Sequence, residues 1–186
     1  MKGLLILIFT LLYTTSYGDI NSLWDHLIKF EGKKIIKEPT GDYSKYGLRS
    51  FFIKEYNKKY YTNYTIKSLN EEQGKKIFEE FFYKKYLING IENENARIII
   101  TDTIYNQGIA GIILIQKSIN KSLGEEILKI DGVIGAETIN ALNKIDFETF
   151  KKNLKNKRIA YYKTRKHFKK YGKGWLNRLD LTFNIN

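Results

Sequence analysis

The chain predicts an all-α fold, and three observations carry that expectation. Apolar residues recur at three- and four-residue spacing in several segments, no stretch of useful length alternates apolar with polar residues, and Pro39 is the single proline. Helices joined by polar turns follow from this pattern.

The first segment stands outside that fold. Met1 and Lys2, an apolar run over residues 3–13, and small residues at Ser16 and Gly18 make a signal peptide with a cut ahead of Asp19. The apolar run is too short for a comfortable transmembrane span. An uncleaved signal anchor in the inner membrane is the alternative, since Tyr17 and Gly18 make only a fair cleavage site. Export to the periplasm or beyond the cell is expected. Removing residues 1–18 from 186 leaves 168, residues 19–186, enough for one domain with a real core.

Composition excludes several chemistries. With no cysteine there is no disulfide, no thiol nucleophile and no zinc-thiolate site. His26 and His167 lie far apart without an acidic cluster at metal-ligand spacing, so neither a metal nor another cofactor is expected. The formal charge is +12, or +11 once Lys2 leaves with the signal. Part of it reflects a general enrichment in Lys, Ile, Asn and Tyr. Nucleic acid is the usual partner of such a charge, but export favours a negatively charged envelope polymer or membrane surface.

The first helix runs from Ile20, with Leu23, Trp24, Leu27 and Ile28 on one face and Gly32 as its stop. Ser22 with Asp25 reads as a capping-box-like start. Glu31 is the next member of the apolar series. A carboxylate held against an apolar wall has its charged form disfavoured and can keep a proton near neutral pH, as a general acid must.

Asn70 followed by Gln73 opens a helix whose apolar stripe is Ile77, Phe78, Phe81, Phe82 and Tyr86. Another runs from about Ala96 to a glycine break at Gly108, and a third carries Ile112, Ile113, Ile115, Gln116 and Ile119. The last long helix begins near Asp146, with Phe147, Phe150, Leu154, Arg158, Tyr161 and Tyr162 along it. Within the second of these, Asp102 and Asn106 sit one turn apart on the apolar side. Polar groups there are either hydrogen-bonded in a packing network or face a cleft, and both versions place the pair inside. The loop 38–47 is dense in carboxylates, hydroxyls, tyrosines and glycine, types that suit sugar binding and also suit a plain turn.

Taken in order, these pieces resemble glycoside hydrolase family 108, the secreted and phage-associated N-acetylmuramidases. The matching pieces are Phe30-Glu31-Gly32, Lys45-Tyr46-Gly47-Leu48, Leu69-Asn70-Glu71-Glu72, Tyr83 and Tyr86, Asp102 with Asn106 and Gly108, Gln116, Asp131-Gly132 with Gly135 and Thr138, and Gly174-Trp175 through Arg178. They span essentially the whole chain after the signal. The resemblance implies a lysozyme-like helical domain, with 109–145 as a peptidoglycan-binding segment and Glu31 as the catalytic acid. Asp131 to Thr138 looks like the Asp-Gly-x-x-Gly-x-x-Thr signature of peptidoglycan-binding modules; for Asp131 and Gly135 an architectural role in a turn is favoured. The sequence departs from the family after Glu31, where Gly32-Lys33-Lys34 replaces Gly-Gly-Tyr, and in the loop, where Glu38 to Ser44 replaces an Asp-Pro-Gly-Gly-x-Thr stretch.

The implied reaction is cleavage of the β-1,4 bond between N-acetylmuramic acid and N-acetylglucosamine, with Glu31 protonating the departing oxygen. The second group is Asp42 or Glu38, with Ser44 orienting a water. Asp42 is preferred because Gly41 allows a sharp turn just before it and Ser44 is near in sequence. Tyr43, Tyr46, Asp102 and Asn106 are the expected substrate-binding residues. The expected partner is the peptidoglycan glycan strand, bound by a monomer, with no nucleic acid. A lytic transglycosylase using one carboxylate, and a non-catalytic wall-binding protein, are the alternatives.

Overall fold

The apolar stripe from Ile20 to Glu31 is helical in the computed structural model, which describes residues 19–38 and 40–185. Residues 1–18, where the sequence places a signal, and Pro39 lie outside the described residues. The chain divides into two compact units with the boundary between Lys85 and Tyr86.

In the first unit, helix α1 covers residues 19–31 and buries Leu23, Trp24 and Leu27 completely or nearly so. It is already helical at residue 19, so Ser22 lies inside it, exposed, and does not cap it as the sequence suggested. Its end is as expected. Gly32 takes a left-handed φ of 68° and its N–H donates to the Ile28 carbonyl at 2.9 Å.

A small antiparallel sheet follows: β1 (Ile35–Lys37), β2 (Tyr43–Lys45) and β3 (Leu48–Arg49), in that spatial order. Strands of three and two residues are too short to display period two, which is why the sequence showed only a polar loop. Tyr46 and Gly47 both have positive φ, the requirement of a tight two-residue hairpin. Tyr46 tolerates that conformation because its ring is anchored against Trp24, 5.8 Å between centroids.

Helix α2 (Ser50–Tyr60) leads to α3 (Glu71–Phe78), which opens with the expected capping box between Asn70 and Gln73. A π-helical turn, Glu79–Lys84, continues α3 and places Phe82 beside Phe52 and Phe78. Gly74 has no side chain for a reason of space. A Cβ there would stand 3.1 Å from both the Trp24 and Tyr46 rings, so α3 lies directly on the pair that holds α1 to the hairpin.

The second unit is helical throughout its regular elements: α4 (Glu94–Leu123), α5 (Ala136–Leu142), α6 (Phe147–Lys163) and α7 (Phe168–Phe183). Asn93 and Asp146 cap α4 and α6 by accepting from backbone N–H groups three residues on. By length and composition α4 could cross a membrane, but half of its most apolar window is buried in the protein. It is broken where the sequence predicted. Gly108, at φ 56° and ψ −135°, leaves the helical conformation, and Gly111 then approaches so closely that a Cβ would meet the Thr103 carbonyl oxygen at 2.5 Å.

At the centre of this unit is Asp102, fully buried. One carboxylate oxygen accepts from Arg158 Nη1 on α6 at 2.9 Å and the other from Arg178 Nε on α7 at 2.8 Å. Arg158, also fully buried, donates further to Thr103 Oγ1 and to the Tyr162 hydroxyl, which donates to Asn106 Oδ1 at 2.8 Å. Burial opposes the charge on Asp102, but the two guanidinium groups outweigh it and hold its carboxyl below the usual carboxylate range.

A carboxyl depressed by folding contributes stability in full above its unfolded value, about 3.9, and loses it as the pH falls through the folded value. Asp102→Asn should therefore cost about 3–5 kcal/mol at neutral pH, because it strands buried guanidinium charge. The difference from wild type should shrink on acidification below about pH 4. Urea unfolding at pH 7 and pH 3 measures both effects, and a variant as stable as its parent at pH 7 would contradict the network.

Candidate functional site

Glu31 occupies the last helical position of α1 and is half-buried, one turn beyond the fully buried Leu27. The helix end, the glycine cap and the apolar stripe together fix where its carboxyl leaves the core. Four residues later the chain enters β1. Lys33, in this connection, is tied to Glu71 in the first turn of α3 at 2.5 Å. The Lys33 ammonium holds the Glu71 carboxyl below its usual range despite partial burial.

Glu38 follows β1 and Ser44 lies in β2, paired across the hairpin from Ile36. The turn between the strands closes on itself, with Glu38 N–H donating to the Asp42 carbonyl at 2.8 Å and Gly41 N–H to the Glu38 carbonyl at 2.9 Å. This geometry brings two side chains together. Ser44 Oγ, almost fully buried, donates to Glu38 Oε1 at 2.5 Å.

Asp42 points elsewhere. Its Oδ1 accepts from Ser50 Oγ at 2.5 Å and from the Tyr43 N–H at 2.8 Å, and Arg49 Nε lies 3.5 Å from Oδ2. The Ser50 hydroxyl first, then the Tyr43 N–H, hold its carboxyl below the usual range. Asp42 thus latches the hairpin to the start of α2. The sequence preference for Asp42 as the partner of Ser44 is corrected: the hydroxyl belongs to Glu38.

The other expected residues separate in the same way. Tyr43 is exposed and available to a ligand. Tyr46 is buried, its ring on Trp24 and its hydroxyl pushed up by burial and by Glu71, so it serves as an anchor. Asp102 is completely enclosed, and its carboxylate meets protein groups alone; it acts in packing, not in binding a glycan. Asn106, expected inside with it, is exposed and joined to the network through Tyr162. Arg158 was legible only as a charged residue within the apolar stripe of α6.

The Asp131 turn is tied to α4 by hydrogen bonds. Gln116, buried in the second arm of α4, donates to Asp131 Oδ1 at 2.8 Å and to the Val133 carbonyl at 2.9 Å, and accepts from the Gly132 N–H at 2.9 Å. Gly132 needs its positive φ of 75° there, and Gly135 begins α5. Gln116→Leu leaves these turn groups unpaired and should destabilise by about 1–3 kcal/mol. Faster hydrogen exchange at the Gly132 and Val133 amides would accompany that loss, whereas unchanged exchange would show the clamp to be idle.

A helical protein with a carboxylate at a helix end and a carboxylate-hydroxyl pair on an adjoining hairpin is the class these features define. Among solved structures, the chain is similar to SagA from Brucella abortus, with a TM-score of 0.72 at 20% sequence identity, covering 90% of this chain and 92% of that one. At that identity the likeness concerns the fold. No family model matches the chain. No curated protein matches it either.

Proposed function

We propose that this chain is an exported peptidoglycan hydrolase of the family 108 type, cleaving the β-1,4 bond between N-acetylmuramic acid and N-acetylglucosamine. The observation that carries the reading is the pairing of Glu38 with Ser44 on the hairpin that follows Glu31. It supplies a second acid-base group joined to a hydroxyl, in the segment where the sequence departs from the family pattern.

In this reading Glu31 donates its proton to the glycosidic oxygen as the bond to the anomeric carbon breaks. The sugar left behind carries oxocarbenium-like charge. Glu38, a carboxylate that already accepts the Ser44 proton, stabilises that charge or takes a proton from the attacking water. Ser44 Oγ, whose O–H donates to Glu38, keeps lone pairs to accept from that water. Exposed Tyr43 packs on a sugar face. The signal pattern in residues 1–18 supports a site of action outside the cytoplasm, and the net positive charge suits an anionic envelope.

Glu31→Gln should fold normally and reduce muropeptide release from purified peptidoglycan by ~10²–10⁴-fold, the usual loss for a missing general acid. Wild-type release by a folded Glu31→Gln protein would overturn the mechanism. Mass spectrometry of the released ends separates hydrolysis, which leaves reducing ends, from transglycosylation, which leaves 1,6-anhydro ends.

Glu38→Gln should lower turnover steeply, by ~10²-fold or more. Asp42→Asn should lower the melting temperature and leave most of the turnover, since it weakens a latch. The reverse ranking, measured on the same substrate, would return the catalytic role to Asp42.

A further inference from the structure

We propose that the corner between α6 and α7 docks the second unit on an anionic phospholipid surface. Six cations stand there within eleven residues: Lys163, Arg165, Lys166, Lys169, Lys170 and Lys173, all exposed. This stretch alone supplies +6 of the formal +12, so the charge of the chain is concentrated at one place.

No carboxylate offsets it. The sequence holds no Asp or Glu between Glu148 and Asp180. Flanking cations do find partners: Lys151 pairs with Glu148, Lys155 with Asp180, and Arg158 and Arg178 with Asp102. The six at the corner make no ion pair among the described residues. Two rest on rings instead, the Arg165 guanidinium 5.0 Å from the centre of the Tyr161 ring and the Lys170 ammonium 5.0 Å from that of Tyr171. Like charges this close repel one another, and an anionic surface relieves that repulsion for all of them at once.

The corner holds these side chains on a fixed backbone. The Arg165 N–H donates to the Tyr162 carbonyl at 3.0 Å, the Phe168 N–H to the Arg165 carbonyl at 2.9 Å, and the Tyr171 N–H to the His167 carbonyl at 3.0 Å. Little backbone ordering is left to the moment of docking.

Rings interleaved with the cations select lipid over a soluble polyanion. Tyr171 is exposed, the half-buried Trp175 ring lies 6.2 Å from it, and Phe168 lies 6.4 Å from Trp175. Tyr and Trp rings settle at the headgroup level of a membrane, while Lys and Arg lay their stems along it and keep their charges in water. A nucleic acid would meet the same charge and stack on the same rings, but the export expected from residues 1–18 favours the membrane surface. The docking surface does not depend on the hydrolase reading.

Cosedimentation of the full chain with vesicles tests it, comparing equal parts phosphatidylcholine and phosphatidylglycerol with phosphatidylcholine alone. Both vesicles meet the same residues 1–18, so the ratio of affinities reports the charged surface. That ratio should be about 100-fold or more and should collapse when salt is raised. Lys166→Gln, Lys169→Gln and Lys170→Gln combined should weaken binding to the anionic vesicles by about 100-fold, near fivefold per charge, with an unchanged melting temperature. Lys54→Gln, Lys58→Gln and Lys67→Gln combined remove the same charge from exposed positions of the first unit and should change the affinity by less than about threefold. Tyr171→Ser keeps every charge and should weaken binding about fivefold, as for a ring partly withdrawn from water. Equal binding to both vesicles, equal losses in the two triple variants, or unchanged affinity in Tyr171→Ser overturns the surface. Tighter binding of a single-stranded oligonucleotide than of the anionic vesicles at the same salt overturns it too. Muropeptide release by the wild-type protein is measured in parallel: release without vesicle preference removes the docking surface and keeps the hydrolase reading, and preference without release does the opposite.

Discussion

One buried carboxylate organises the second unit. Asp102 on α4 is shared by Arg158 on α6 and Arg178 on α7, so three helices meet at a single charge. Desolvating one carboxylate and a guanidinium is unfavourable on its own, and the arrangement is stable only because both oxygens are used and Arg158 has further acceptors in Thr103 and Tyr162. The chain of bonds runs outward through Tyr162 to Asn106, which is at the surface. Burial and exposure are thereby linked: Tyr162, whose ring lies beside Trp175 at the α6–α7 corner, belongs to the same network that packs the helices.

The break in α4 has two consequences. It ends the regular first arm just after Asn106 and Gln107, and it lets the second arm present Gln116 to the Asp131 turn. The first arm holds Asp102 and the second holds Gln116 and Asn120, buried polar residues that fix partner segments. Gly111 makes this possible, since any side chain there would strike the Thr103 carbonyl.

In the first unit the constraint is steric. Trp24 of α1, Tyr46 of the hairpin and Gly74 of α3 form one contact, and the absence of a side chain at Gly74 sets its closeness. The hairpin is thus anchored at one end by a ring and at the other by the Asp42 to Ser50 latch. Between these anchors Glu38 and Ser44 face each other. A carboxylate-hydroxyl pair held this way has little freedom left to lose, which is how a short polar loop acquires a defined geometry.

The sequence by itself determined the helical class, the glycine stops at Gly32 and Gly108, the caps at Asn70 and Asp146, and the anomaly of Asp102 in an apolar stripe. These are local properties, governed by periodicity of 3.6 and by backbone groups within a turn of the signalling residue. It did not reveal α2, the helix α7 with its two internal glycines, or strands too short to show alternation. Nor could it choose between Asp42 and Glu38, which lie four residues apart in one loop with Ser44 near both. The choice depends on which way a closed turn aims each carboxyl, and that follows from strand register and from Ser50, at the start of α2. Asp102 shows the same division: its burial was legible from spacing, while its two partners lie 56 and 76 residues away, and only tertiary packing could decide that they are arginines rather than a sugar.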